Sequence, residues 1–337
     1  MIIVTGGAGF IGSNIVRALN EEGRTDILVV DNLTKNEKFK NIQNLKVMDY
    51  IDKVDFRDAF LMGDFDDKDI EVVFHEGACS DTMEYNGKYM MDNNFTYTKL
   101  LFLFCQEHKI PFLYASSAAT YGAGIKGFRE EHECEGALNV YGFSKLFFDN
   151  YLRKYRENHK LTAQVVGLRY FNVYGAQENH KGKMNSLVYQ MWNQFKTEGK
   201  VCLFGAYGGP GPEGKFVDYG PGEHTRDFIY VKDVVKVNMW FWKHPEKSGI
   251  FNCGTGNAHP FKTLAEGVLK HFDAPMSKLE FIDFPEVLKG KYQCYTQADA
   301  TNLLKAGYDG GFTPIEEAIE EYCTILDKTG GFYEYAK

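Results

Sequence analysis

Little in these 337 residues supports a fold stapled by disulfides or by a metal. The seven cysteines, Cys79, Cys105, Cys134, Cys202, Cys253, Cys294 and Cys323, are odd in number and include no C-x-x-C pair. That argues against a secreted disulfide framework or a zinc site and for buried free thiols in a reducing compartment. Only nine prolines occur, with no low-complexity tract and no repeat, so no long linker is offered. No apolar run approaches the ~20 residues needed to cross a bilayer. The densest patch, residues 100–105, has the size of a helix core. An apolar strand already begins at residue 2, so no basic, apolar leader is expected. Positive charge is also short, with 38 basic against 46 acidic residues and a net charge of −8. Non-specific binding to nucleic acid or acidic membranes is therefore disfavoured. The location expected is the cytoplasm.

What is present is globular. Hydrophobic residues make up 44% and charged residues 25%, and at ~100–200 residues per domain the length suits two domains or one large one. Short apolar runs, Ile2-Ile3-Val4, Ile27-Leu28-Val29-Val30, Val72-Val73-Phe74, Phe112-Leu113-Tyr114 and Val165-Val166-Gly167-Leu168, alternate with helical patterns over residues 11–19, 89–106 and 141–155. Strands alternating with helices indicate βαβ units. Strands that are apolar throughout fit a parallel sheet buried on both faces. The fold class expected is α/β, a doubly wound parallel sheet of the Rossmann kind. A second, smaller and discontinuous substrate domain accompanies it. The dinucleotide-binding part should take residues 1–171 and about 227–256, and the substrate part about 172–226 and 257–325. Residues 182–196 read as one helix, and the glycine- and proline-rich residues 205–224 read as loop.

Gly6, Gly9 and Gly12 form G-x-x-G-x-x-G directly after the first strand and at the start of a helix. The first glycine permits a tight turn, the second lets backbone approach a pyrophosphate, and the third lets the helix pack close. The free N–H groups and positive end of that helix suit phosphate. Asp31, ending the second strand, is placed to accept from an adenosine ribose, which points to NAD. Asn32, Lys38 and Lys53 lie where a 2′-phosphate could be offset, so composition leaves NAD and NADP open.

Tyr141 and Lys145 are spaced i, i+4 and share one helix face. A tyrosine with an ordinary pKa of ~10 needs a drop of about 3 units to work as a base near neutral pH. A nearby ammonium and a positive nicotinamide can supply it. Ser117, at the end of a strand, can bind the reacting oxygen. His75-Glu76 is no zinc motif, because no second histidine follows at helical spacing; no metal is expected. Gly254-Thr255-Gly256 reads as a strand-to-loop turn.

The stretches from Thr5 through Gly12, Ser116-Ser117-Ala118-Ala119-Thr120-Tyr121-Gly122, and Tyr141-x-x-x-Lys145 resemble the extended short-chain dehydrogenase/reductase family. Six further blocks are similar to its ADP-heptose 6-epimerase branch: His75-Glu76-Gly77-Ala78-Cys79-Ser80, Lys88-Tyr89-Met90-Met91-Asp92-Asn93-Asn94, Arg169-Tyr170-Phe171-Asn172-Val173-Tyr174-Gly175, His180-Lys181-Gly182, Lys289-Gly290-Lys291-Tyr292-Gln293 and Thr296-Gln297-Ala298-Asp299. The resemblance runs to about residue 325. It implies bound NADP, an ADP-sugar substrate, inversion at C6 of a heptose for lipopolysaccharide core synthesis, and a homo-oligomer, specifically a pentamer. It implies cofactor contacts at Phe10, Ile11, Asp31, Asn32, Lys38, Lys53, Glu76, Gly77, Ala78, Cys79, Ser80, Asn93 and Val173. It makes Ser117, Tyr141, Lys145 and Lys181 the catalytic group, with Lys145 and Lys181 also near the cofactor. Asn172, Lys183, Gln190, Phe204, Arg226 and Tyr292 would surround the sugar nucleotide, beside Ser117.

Three features depart from the family pattern. The loop after Phe204 is long and glycine-rich, Lys183 replaces a small hydroxyl residue, and Gln190 replaces a histidine. The tail from residue 329 onward matches nothing in the family. Competing activities are a UDP-hexose 4-epimerase, which needs only Tyr141, and a nucleotide-sugar dehydratase, which needs a further acid and base absent from Ser117-Ala118-Ala119-Thr120. A dinucleotide-sensing regulator on the same fold would have no use for Ser117, Tyr141 and Lys145 together.

Overall fold

The computed structural model describes residues 1–34, 37–290 and 292–334. Six strands come first: β1 (Ile2–Thr5), β2 (Ile27–Asp31), β3 (Asp49–Asp52), β4 (Val72–His75), β5 (Phe112–Ser117) and β6 (Val165–Tyr170). The chain then makes β7 (Asn172–Tyr174), β8 (Val201–Phe204), β9 (Tyr207–Pro210), β10 (Phe216–Tyr219) and β11 (Thr225–Tyr230). It ends its strands with β12 (Gly249–Cys253), β13 (Ala258–Pro260) and β14 (Leu279–Ile282). Seven of these form one sheet in the order β12-β6-β5-β4-β1-β2-β3, every pair parallel. The order reverses between β1 and β4, and in such sheets the crevice beyond the strand ends at that reversal is where ligands bind.

Alternation along each strand feeds two cores. Ile2, Val4, Ile27, Val29, Val72 and Phe74 pack on helices Phe10–Glu21 and Val231–Lys243. Ile3, Leu28, Val30, Val73, Phe112 and Val165 pack on helices Lys53–Leu61, Tyr97–His108 and Val140–Asn158. A third core, with Val188, Met191, Val201, Leu203, Leu264 and Ile319 among its members, joins helices Leu187–Glu198, Phe261–His271 and Ile315–Thr329. It sits beside a three-stranded sheet, β13-β11-β7, and the pair β14-β8. All seven cysteines are free thiols, and no helix among the described residues is long and apolar enough to cross a membrane.

Two expected elements differ from the structure. Residues 182–196 are not one helix. A 3-10 turn, Asn179–Met184, is broken at Gly182 (φ +57°), and a new helix starts at Leu187 with Ser186 capping it through Tyr189 N–H. Nor is the stretch 205–224 all loop, because β9 and β10 pair antiparallel across the turn Pro212–Gly214. Gly208 lies under the Phe216 ring, where a Cβ would come within 2.5 Å of it. The glycine thus makes room for a cross-strand aromatic.

Helix Val140–Asn158 is anchored by a charge network beneath the sheet. Arg169, fully buried on β6, donates from Nε to Asp149 at 2.9 Å and pairs with Glu135 through Nη2. Asp149 also accepts from the Tyr114 hydroxyl at 2.8 Å and the Ser116 hydroxyl at 2.9 Å. Removing the guanidinium leaves the buried Asp149 without a cation, while Glu135 keeps Arg153 at 2.6 Å; breaking a buried pair typically costs ~3–5 kcal/mol. Arg169→Met is expected to lose that much in urea denaturation; a loss under ~1 kcal/mol would show that the acids find other partners.

Candidate active site

The reversal point is built from backbone in contact with backbone. Gly6 leaves β1 at φ +68°, and a Cβ there would lie 2.6 Å from Gly77 N. A Cβ on Gly12 would lie 2.2 Å from Gly6 O. Gly9 N–H donates to Gly6 O at 2.8 Å. Gly9 is the N-cap of helix Phe10–Glu21, whose start has no side-chain cap and no acidic residue in its first turn. That end is left for an anion.

At the edge of this turn Asp31 accepts from Ala8 N–H at 2.9 Å and Asn32 N–H at 2.7 Å, and it pairs with Lys38. Lys53 donates to Asn93 Oδ1 at 2.8 Å; burial and the neighbouring Lys38 hold its pKa below the ordinary value. Asn94 fixes the segment after β4 by accepting from Cys79 N–H at 2.8 Å and donating to Cys79 O at 2.9 Å. The same amide donates to Ser144 Oγ at 3.0 Å, which ties that segment to the helix carrying Tyr141.

Tyr141 is in the first turn of helix Val140–Asn158, capped by Asn139. Its hydroxyl bonds Ser117, which lowers its pKa, but burial raises it more. Lys145 donates to Ala115 O at 2.8 Å, and burial brings its pKa down to about 8 against the pull of Glu76 and Asp149. Burial thus favours the protonated form of Tyr141. Lys181 stands on the turn Asn179–Met184, 3.2 Å from Glu178 Oε2 and 4.8 Å from the Phe10 ring centroid.

Asn172 and Val173 start β7, and Phe204 ends β8. Arg226 on β11 is 5% exposed. Its Nη1 donates to Thr225 O at 3.1 Å, its guanidinium lies 5.1 Å from the Tyr292 ring and 5.6 Å from Phe261, and burial lowers its pKa. Among the described residues no carboxylate pairs with it. Gln190 is exposed and donates to Asn185 O at 2.7 Å. Lys183 is exposed at the rim.

One cavity of about 1260 Å³ is lined by every site residue expected from the sequence, from Gly6 at one end to Tyr292 at the other. Lys291 lies outside the described residues. Sequence reasoning missed Tyr170, whose hydroxyl donates to Glu76 Oε1 at 2.8 Å while accepting from Asn238 at 3.0 Å. No spacing rule joins residues 76, 170 and 238. Phe228, Phe261, Cys202 and Gln194 also line the substrate end unannounced. Gly254-Thr255-Gly256 is indeed structural: Thr255 N–H, Gly256 N–H and Ala298 N–H all donate to Asp227.

Residues 2–254 match the NAD-dependent epimerase/dehydratase family. The chain belongs to it. Its fold is shared with solved members of that family. The ADP-L-glycero-D-manno-heptose-6-epimerase of Helicobacter pylori is 28% identical with a TM-score of 0.78, over 97% of this chain and 96% of that one. The UDP-N-acetylglucosamine 4-epimerase of Methanobrevibacter ruminantium M1, in complex with UDP-N-acetylmuramic acid, is 25% identical with a TM-score of 0.80, over 97% of each chain. The dTDP-glucose 4,6-dehydratase of Bacillus anthracis, in complex with NAD, is 21% identical with a TM-score of 0.78, over 98% of each chain. Family membership thus gives an NAD(P)-dependent enzyme of the epimerase/dehydratase class, and the crevice with no space for a Cβ at Gly6 or Gly12 fits a dinucleotide.

The Glu76 carboxyl is pushed up by burial to about 7, against ~4.3 for a free side chain. The folded state therefore binds this proton more tightly than the unfolded chain. The contribution to stability is complete below the unfolded pKa and is lost as pH rises through about 7. Glu76→Gln is expected to gain stability over the wild type between pH ~5 and ~8, read as the difference in urea midpoints. Parallel midpoints across that window would show a solvated carboxylate.

Proposed function

We propose that the chain is an NADP-dependent isomerase of nucleotide sugars. It inverts C6 of the heptose in ADP-D-glycero-β-D-manno-heptose to give the L-glycero epimer, in lipopolysaccharide core synthesis. The observation that carries this reading is that two proton-handling side chains enter one cavity from different elements: Tyr141 from helix Val140–Asn158 and Lys181 from the turn Asn179–Met184. A proton-handling group opposite Tyr141 can serve the second face of the inverted carbon. The likeness to the Helicobacter pylori heptose epimerase over nearly the whole of both chains supports the substrate. A 4-epimerase is the second reading, favoured by the Methanobrevibacter relative; it has no need of Lys181.

The glycines at 6, 9 and 12 would hold the cofactor's diphosphate, with Asp31, Lys38 and Lys53 around its adenosine. Bound there, the nicotinamide supplies a reversible store for a hydride equivalent. Tyr141 draws the proton from the C6 hydroxyl, Ser117 holds the same oxygen, and Lys145 keeps positive charge beneath the tyrosine. The resulting ketone presents its other face, and Lys181 donates the proton to the oxygen as the carbinol re-forms. A lysine ammonium is a competent acid near pH 7. Arg226, a buried cation without a carboxylate, is matched to the substrate's diphosphate, which a guanidinium can bind bidentately.

The purified enzyme, given ADP-D-glycero-β-D-manno-heptose in heavy water, is expected to form the L-glycero epimer with no deuterium at C6 and no consumption of added NADPH. An unactivated carbinol C–H has no neighbouring carbonyl to stabilise a carbanion, so removing it as a proton would be far harder. Stoichiometric deuterium at C6 would sink the oxidation–reduction route, and failure to turn over this sugar alongside turnover of a UDP-hexose would favour the 4-epimerase.

NADP itself is tested at Lys38 and Lys53. The double Ala variant should lose ~1–3 kcal/mol of NADP binding, with NAD much less affected. Equal loss for both nucleotides in a titration would make these lysines ordinary surface charge.

A further inference from the structure

Glu178 has no side-chain exposure. Its Oε2 meets the Lys181 ammonium at 3.2 Å and Ser186 N–H at 2.6 Å, and its Oε1 accepts from the hydroxyls of Ser186 and, at 3.0 Å, Tyr322. Ser186 caps helix Leu187–Glu198, and Tyr322 is a buried residue of helix Ile315–Thr329. A buried carboxylate is costly unless paired; here both oxygens accept from neutral donors, Oε2 from Ser186 N–H and Oε1 from the Ser186 and Tyr322 hydroxyls. The pairing that calls for charge is the one with Lys181.

The backbone around Lys181 is held in unusual conformations. Gln177, a non-glycine residue, sits at φ +79°, and Gly182 at φ +57°. Gln177 N–H donates to Gly331 O at 2.8 Å, Gln177 O accepts from Asn41 at 3.0 Å, and Asn179 donates to Gly330 O at 2.6 Å. Asn41 also donates to Ala8 O in the glycine turn at 3.0 Å. Strained residues persist where the surroundings over-determine them, and such places cluster at functional sites. Yet a fixed backbone does not fix a lysine, whose long stem leaves the ammonium free to wander. Phe10 attracts it from the cofactor side of the cavity through its ring face. Glu178 supplies the directional contact.

We infer that Glu178 is a positioning residue: it holds the Lys181 ammonium at the cavity wall and couples that placement to helices Leu187–Glu198 and Ile315–Thr329. This rests on the reading of Lys181 as proton donor, and the test separates the two. Glu178→Gln, Lys181→Ala and the double variant are compared with wild type for kcat, KM, melting temperature and bound nucleotide.

Glu178→Gln is expected to lower kcat ~100-fold, the scale of a misplaced catalytic group. KM should change little and the nucleotide should stay bound. The double variant should be no slower than Lys181→Ala, because two residues acting as one unit are not additive. Glu178→Asp, which keeps the charge, should recover part of the rate. Wild-type kcat in Glu178→Gln, or a double variant slower than Lys181→Ala by the full Glu178 factor, overturns the inference and leaves Lys181 standing. Wild-type kcat in Lys181→Ala overturns both. Should Glu178→Gln not fold, the same cycle with Tyr322→Phe applies: a smaller kcat loss that vanishes in the Lys181→Ala background is expected, and additivity overturns the inference.

Discussion

The structure turns on backbone meeting backbone where β1 and β4 separate. Gly6 approaches Glu76 and Gly77 so closely that a Cβ would sit 2.6–2.8 Å from main-chain atoms, and Gly12 closes on Gly6 from the other side. That contact aims the start of helix Phe10–Glu21 into the crevice. It also places Phe10 beside Lys181 and Glu76 near Lys145. A methyl group at either glycine would move the cofactor turn and the catalytic wall together. The carbonyl of Ala8 in the same turn is bonded by Asn41, which also binds Gln177 O. The segment leading to Lys181 is thus measured from the same origin.

Around that origin the buried charges divide into two kinds. Arg169 is matched by Asp149 and Glu135, and its role is to hold β6 against helix Val140–Asn158. Arg226 and Lys145 are not matched in that way. Burial pulls the pKa of each down, and each faces the cavity. A folded chain carries an uncompensated buried cation at a cost. In the proposed reading the substrate's diphosphate would offset that cost at Arg226. In the proposed reaction Lys145 would favour the developing phenolate of Tyr141, whose pKa burial raises.

The parts legible in the sequence are those that chain-local physics determines. Continuous apolar strands ending in Thr5, Asp31, His75 and Ser117 announce the parallel sheet, because burial on both faces leaves no alternation to read. The Tyr141–Lys145 spacing announces a shared helix face. What stays hidden depends on partners far apart in the chain. Glu76 meets Tyr170 across 94 positions, and Glu178 meets Tyr322 across 144. The hairpin of β9 and β10 hides behind glycines that ordinarily signal loop, since Gly208 serves to admit the Phe216 ring rather than to break a strand. The break at Gly182 hides inside a run with helical spacing, because Ser186 offers a cap that periodicity alone does not weigh.

That break also bears on the chemistry. Tyr141 can sit on a long helix because its helix is already fixed against the sheet by Asp149 and by Asn94 through Ser144. Lys181 stands instead on a turn, away from the seven-stranded sheet. A helix running through residues 182–196 as one rod would have tied the segment just after Lys181 to the packing of Val188 and Met191 in the third core. Ending the turn at Gly182 and restarting at Leu187 separates the two tasks. Helix Leu187–Glu198 packs the core, and the short turn before it is free to be set by polar contacts alone. The buried Glu178 joins the two segments: it accepts from the cap of one and from the cation of the other, which no apolar side chain of the same size could do.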